Sequence, residues 1–90
     1  MKQIQCQIKG RVQGVMFRDF VKRNALKLGL FGFVKNMEDG SVSVVVKGSN
    51  DKILILVEKL KEGSILSKVE EVVVEDLEPQ LDFDSFKIVY

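Results

Sequence analysis

The chain has no histidine, one cysteine and one proline in 90 residues. Without an imidazole there is no Ser or Cys triad that uses His, no His-ligated zinc, and no His acid or base near neutral pH. The lone Cys6 excludes an internal disulfide and a cysteine-ligated metal cluster, and it is expected to pack as a small buried hydrophobe. An excess of one charge is also missing. Fourteen Lys and Arg against thirteen Asp and Glu leave +1, so no global field recruits nucleic acid or an anionic membrane, and any anion site has to be local. The longest purely aliphatic run is Ile53-Leu54-Ile55-Leu56-Val57, far short of the roughly 18 residues that a membrane span needs. Met1-Lys2-Gln3-Ile4 leads straight into an alternating pattern without an apolar signal core, so a cytoplasmic location is expected.

What is present reads as globular: 46% hydrophobic and 30% charged residues, with seven glycines. One domain over residues 1–90 is expected. A chain of this size buries about 64% of its surface on folding and leaves no room for a large cavity. A substrate would therefore bind at a loop or a shallow surface site.

Gln3, Gln5 and Gln7 alternate with Ile4, Cys6 and Ile8, which predicts a half-buried strand over 3–8. Gly10 and Gly14 break the alternation. From Phe17 the apolar positions follow the helical period through Phe20, Val21, Ala25 and Leu28, predicting a helix over 18–28 capped at Gly29. Strands are expected over 30–36 and 41–47, joined by a hairpin at Met37-Glu38-Asp39-Gly40. A second helix starts near Ser49, Asn50 or Asp51, buries Ile53, Leu56, Val57 and Leu60, and stops at Gly63. Val69 to Glu75 alternate badly, so that strand is expected to be central or twisted, with Pro79 closing it. Phe86, Ile88 and Tyr90 alternate as a short last strand. The order β-α-β-β-α-β plus a terminal strand predicts an α+β, ferredoxin-like split βαβ sandwich. Its sheet would be antiparallel, with both helices on one face.

The first strand-to-helix loop, Gly10-Arg11-Val12-Gln13-Gly14-Val15-Met16-Phe17-Arg18, is the most informative segment. Glycines permit backbone angles closed to other residues, and successive N–H groups in such a loop can converge on an anion. The helix that follows adds its first free N–H groups and its positive dipole end. Arg18 in the first turn can bring a planar guanidinium to the same anion. The loop has neither the Lys-Ser/Thr of a Walker loop nor the third glycine of a dinucleotide fingerprint. On pattern alone it reads either as a long turn with a solvated Arg or as a phosphate-sized anion site. Asn36 is open in the same way: a turn starter, or a carboxamide able to fix a water beside a bound phosphoryl group.

Taken together, the string Gly10-x-Val12-Gln13-Gly14-Val15-x-Phe17-Arg18 resembles the phosphate-loop signature of the acylphosphatase family. The later Ala25, Gly29, Gly32, Val34, Asn36, Asp39-Gly40, Val42 and Gly48, and the ending Phe86-x-Ile88-x-Tyr90, are similar in register. The resemblance implies hydrolysis of the carboxyl-phosphate bond of acyl phosphates to a carboxylate and inorganic phosphate, without metal or cofactor. It implies that Arg18 binds phosphate and that Asn36 positions the nucleophilic water. The backbone N–H groups of Val12, Gln13, Gly14, Val15, Met16 and Phe17 would form the cradle. Inorganic phosphate would act as product and inhibitor of a monomer that needs neither nucleic acid nor membrane. Three departures bear on substrate size: Met16 where the family favours a small residue, Phe33 where Trp is frequent, and Gly63-Ser64-Ile65-Leu66-Ser67 in place of a Gly/Pro-rich segment.

Two alternatives share this plan. Phe31-Gly32-Phe33-Val34 resembles the aromatic core of RNA recognition motifs, but on the second strand rather than the third, with no stacking aromatic on the first strand and no basic stripe. A regulatory module with a vestigial anion site is the other, with Leu54 and Ile55 as a contact patch.

Overall fold

A computed structural model of the chain describes residues 1–78 and 83–90; Pro79 lies outside the described residues. The elements are β1 (Lys2–Arg11), α1 (Phe17–Lys27), β2 (Phe31–Asn36), β3 (Val42–Gly48), α2 (Asn50–Glu62), β4 (Lys68–Leu77) and β5 (Phe86–Val89). They form a five-stranded sheet in the order β4-β1-β3-β2-β5. Strand β1 pairs antiparallel with β3, Cys6 opposite Val44, and with β4, Cys6 opposite Val74. Strand β2 pairs antiparallel with β3, Val34 opposite Val44. These pairings make the split βαβ plan: β3 lies between β1 and β2, and β1 lies between β3 and β4.

The period-2 pattern of the strands and the 3–4 pattern of the helices meet in one core. Ile4, Cys6 and Ile8 of β1, Val34 of β2, and Val42, Val44 and Val46 of β3 are buried. They pack with Phe17, Val21 and Ala25 of α1 and with Ile53, Leu56, Val57 and Leu60 of α2. Burying each large aliphatic side chain contributes roughly 1.5–3 kcal/mol. Cys6 is part of this core, and burial pushes its thiol up to about 11.

Helix α1 ends as its sequence suggests. Leu30 N–H donates to Ala25 O at 3.0 Å and Gly29 N–H to Leu26 O at 3.1 Å, with Gly29 at φ 69°. This is the paired hydrogen-bond closure of a left-handed C-terminal cap, and the flanking Leu30 and Ala25 are both buried.

Three expectations need correction. First, β1 continues past Ile8 to Arg11 because its pairing with β4 shifts register between Lys9 and Gly10. A Cβ at Gly10 would collide with the Lys68 carbonyl oxygen, so glycine lets the two backbones approach and the bulge absorb the extra residue. Second, β4 is neither central nor flanked on both sides: it is a sheet edge. Its exposed Glu70, Glu71, Glu75 and Asp76 line that edge, which discourages pairing with another chain. Val73 and Val74 are both partly exposed there, at 42% and 45%, so the irregular alternation reflects an uncovered edge. Third, the sheet is mixed, because β5 lies parallel to β2, Val34 opposite Ile88. That parallel strand buries Phe86 and brings the end of the chain alongside α1.

Candidate active site

The loop between β1 and α1 is pinned at both ends by buried side chains, Val12 and Phe17. Between them the backbone turns twice through left-handed geometry, at Gly14 (φ 73°) and at Met16 (φ 60°, ψ 24°). Left-handed geometry costs a glycine little but strains a methionine. Met16 is also the residue from which α1 starts, and its side chain makes no capping hydrogen bond. The first N–H groups of α1 therefore lack the side-chain acceptor that usually serves them. The one acid of the first turn, Asp19, is ion-paired with Arg23, its Oδ2 2.9 Å from Nε.

Arg18 follows Phe17 and so leaves the core side of the helix. Its guanidinium carbon stands 4.8 Å from the centre of the Tyr90 ring, a cation–π contact that orients the planar group. Among the described residues Arg18 forms no ion pair with a carboxylate.

Asn36 is the last residue of β2, opposite Val42. Its Oδ1 is buried without a hydrogen-bond partner among the described residues. Buried polar atoms nearly always have partners, and the exceptions cluster where function requires them. The turn beyond is firmly tied. Met37 N–H donates to Ser41 O at 2.9 Å, and Asp39 Oδ1 accepts from the Ser41 hydroxyl at 2.6 Å and from its N–H at 2.9 Å. The Ser41 hydroxyl, then its N–H, hold the Asp39 carboxyl below its usual range. The hairpin geometry is therefore maintained by Asp39 and Ser41, leaving the Asn36 carboxamide free of that task.

Gln13 joins the two segments. Its Nε2 donates to Met37 O and to Ser41 O, both at 2.8 Å. This cross-link fixes the loop against the β2–β3 turn and hence Arg18 relative to Asn36.

The result is a cleft of about 280 Å³ lined by Val12, Gly14, Met16, Phe17, Arg18 and Asn36, together with Asp19, Ile88 and Tyr90. Of the residues singled out from sequence, the Gln13 side chain goes to the hairpin, while Val15 faces a separate groove. Tyr90, which in the sequence ends an alternating strand and the family-like string Phe86-x-Ile88-x-Tyr90, joins the cleft as well. Its phase, shared with Phe86 and Ile88, was the available signal, but the parallel docking of β5 beside β2 was needed to place it over Arg18.

A cleft that brings together a guanidinium without a carboxylate partner, a helix start without a side-chain cap and an amide oxygen without a hydrogen bond, all among the described residues, suits an anion and a water molecule. The acylphosphatase family profile matches residues 4–88. The chain is 46% identical over 81 residues to an acylphosphatase of Koribacter versatilis, covering 90% of this chain and 74% of that protein. The crystal structure of acylphosphatase from Bacillus subtilis superposes with a TM-score of 0.96 at 40% identity, covering all of both chains. An acylphosphatase from Coxiella burnetii gives a TM-score of 0.93 at 38% identity over 98% of this chain and 92% of that one. With the fold shared across its length and the matched segment spanning both sides of the cleft, this chain belongs to the acylphosphatase family.

Proposed function

We propose that the chain acts as one domain that hydrolyses acyl phosphates by in-line attack of water in the cleft between the 12–18 loop and Asn36. The observation that carries this reading is the joint placement, on one small cleft, of Arg18 and of Asn36 Oδ1, the first without a carboxylate partner and the second without a hydrogen bond among the described residues. The guanidinium and the backbone N–H groups of Val12 to Arg18 hold the phosphoryl oxygens, using paired charge-assisted hydrogen bonds and the dipole of α1. Asn36 Oδ1 accepts a hydrogen bond from the attacking water and aims its lone pair at phosphorus.

As the water oxygen bonds to phosphorus, the bond from phosphorus to the carboxyl oxygen breaks and a carboxylate leaves. Both protons of the water end on phosphoryl oxygens, so an acyl phosphate dianion gives a carboxylate and dihydrogen phosphate. A carboxylate needs no protonation to depart, so a chain without histidine is adequate. Catalysis consists of positioning and of charge stabilisation on the equatorial oxygens.

No resident metal enters this scheme. Among the described residues no group of three or more His, Cys, Asp or Glu is placed to hold one. The test is hydrolysis of benzoyl phosphate in the presence and absence of a chelator, with p-nitrophenyl phosphate as a control ester. Turnover of the acyl phosphate that is unchanged by chelation and competitively inhibited by inorganic phosphate is expected. Loss of activity restored by one added metal, or equal turnover of the ester, would overturn the scheme.

A further inference from the structure

Beside the cleft runs a second, larger depression of about 410 Å³, within the range of about 300–1,000 Å³ typical of small-molecule sites. Val15, Met16 and Phe20 form one wall, and Ile65 and Leu66 of the loop between α2 and β4 form the other. Met16 lines both the cleft and this groove. The two spaces are therefore neighbours across a single side chain.

Two features mark the groove as more than a gap between loops. Its rim exposes large apolar side chains: Met16 is 72% exposed, Leu66 64% and Ile65 fully exposed. The loop that carries the last two is held rather than loose. Ser64 N–H donates to Ser67 Oγ at 2.8 Å, the Ser67 hydroxyl donates to Ser64 O at 3.0 Å, and Ser67 N–H donates to the same carbonyl at 3.1 Å. A tied turn with apolar residues at its tip keeps an apolar surface in fixed register with the phosphate cleft.

Its charge is also informative. Arg23 is the groove's one charged lining residue, and it is engaged by Asp19 at 2.9 Å. The groove thus offers little net attraction to a second anionic group.

From these observations we infer that the groove is the acyl subsite of the proposed reaction, and that it selects uncharged aromatic or branched aliphatic acyl groups. The inference rests on the reading of the cleft as the phosphoryl site. An acyl group joined to a phosphoryl held by Arg18 leaves the cleft past Met16 and lies between Phe20 and the Ile65-Leu66 tip. Met16 then forms the threshold between the two halves of the substrate.

The test compares the native chain with the double variant Ile65→Ser/Leu66→Ser, whose changes fall on exposed positions and leave the core intact. Two readouts separate the inference from its foundation: calorimetric binding of benzoylphosphonate against acetylphosphonate, and kcat/KM for benzoyl phosphate against acetyl phosphate. Apolar contacts of this kind are worth about threefold to tenfold when a face of an open groove is removed. The variant should lose about that factor toward the two benzoyl compounds, mainly in KM for the substrate. Both acetyl compounds and inhibition by inorganic phosphate should stay within about twofold.

Equal losses for benzoyl and acetyl compounds, or no loss for either, would overturn the acyl subsite while leaving hydrolysis in the cleft intact. So would a native preference for an acyl phosphate that carries a second carboxylate. If benzoylphosphonate binding falls selectively but neither acyl phosphate is turned over by the native chain, the subsite stands and the hydrolytic reading fails.

Discussion

Helix α2 starts from Ser49 in extended backbone (φ −70°, ψ 147°) with Asp51 in its first turn. Helix α1 starts from Met16 in left-handed backbone, with Arg18 and Asp19 in its first turn and Asp19 ion-paired with Arg23. Neither N-cap residue makes a side-chain capping hydrogen bond, but at α2 the Ser49 hydroxyl first, and then the N–H groups of Lys52 and Asp51, hold the Asp51 carboxyl below its usual range. A negative charge there complements the positive end of the helix dipole. At α1 the positive end is reinforced by a guanidinium instead. One helix start pairs its positive end with a local carboxylate, and the other does not, which under the proposed function leaves that role to the substrate's phosphoryl group.

The sharpest way to break this contrast is at Arg18. Arg18→Ala should abolish both turnover of benzoyl phosphate and inhibition by inorganic phosphate, since the charge-assisted fork to the phosphoryl group is lost. Arg18→Lys should rescue poorly, because a point charge does not reproduce the fork. Removing a cation from a helix N-terminus relieves about 0.3–1 kcal/mol of unfavourable dipole interaction, so Tm should hold or rise. A lysine variant with near-native turnover, or an alanine variant that loses activity only by unfolding, would break the assignment.

Asn36 separates holding the phosphoryl group from aiming the water. Asn36→Ala should lower kcat by about 10²-fold, the scale of losing one preorganised hydrogen-bonding group. Inhibition by phosphate should persist, because Arg18 and the loop are untouched. Since Asp39 and Ser41 already tie the turn, thermal unfolding should change little. Full turnover with reduced stability would make Asn36 a turn residue. Loss of phosphate inhibition as deep as in Arg18→Ala would refute the division of roles.

These same elements show what the sequence carried. Local periodicity was enough for both helices, the Gly29 cap and the hairpin at Asp39-Gly40, because each depends on neighbours within a few residues. The string from Gly10 to Arg18 marked the segment that lines the cleft for the same reason. Features set by distant pairing were not legible. The extension of β1 to Arg11 needs the Lys68 carbonyl against Gly10. The edge position of β4 and the parallel docking of β5 are decided by strand order, which no alternation encodes. Tyr90 over Arg18 and Gln13 across to Met37 and Ser41 bring together residues that only the finished sheet makes adjacent.

The smallest expected effect is at the other helix start, and it sharpens the contrast because it should leave the chemistry alone. Asp51→Asn keeps the size of the side chain and removes its charge, so turnover should match the native chain while Tm falls slightly at neutral pH. The sign of its pH dependence follows from the lowered carboxyl. A group whose folded pKa lies below its unfolded value of about 3.9 adds stability above that value. That contribution disappears as the pH falls through the lower folded value. The difference in Tm between the native chain and Asp51→Asn should therefore be constant from pH 7 to about 5 and close as acid protonates the folded carboxyl. Thermal unfolding followed by circular dichroism at a series of pH values reads this directly. A gap that persists at the acid end would mean that the variant lost something other than the interactions of the ionised carboxylate. The contrast between the two helix starts would then not be electrostatic.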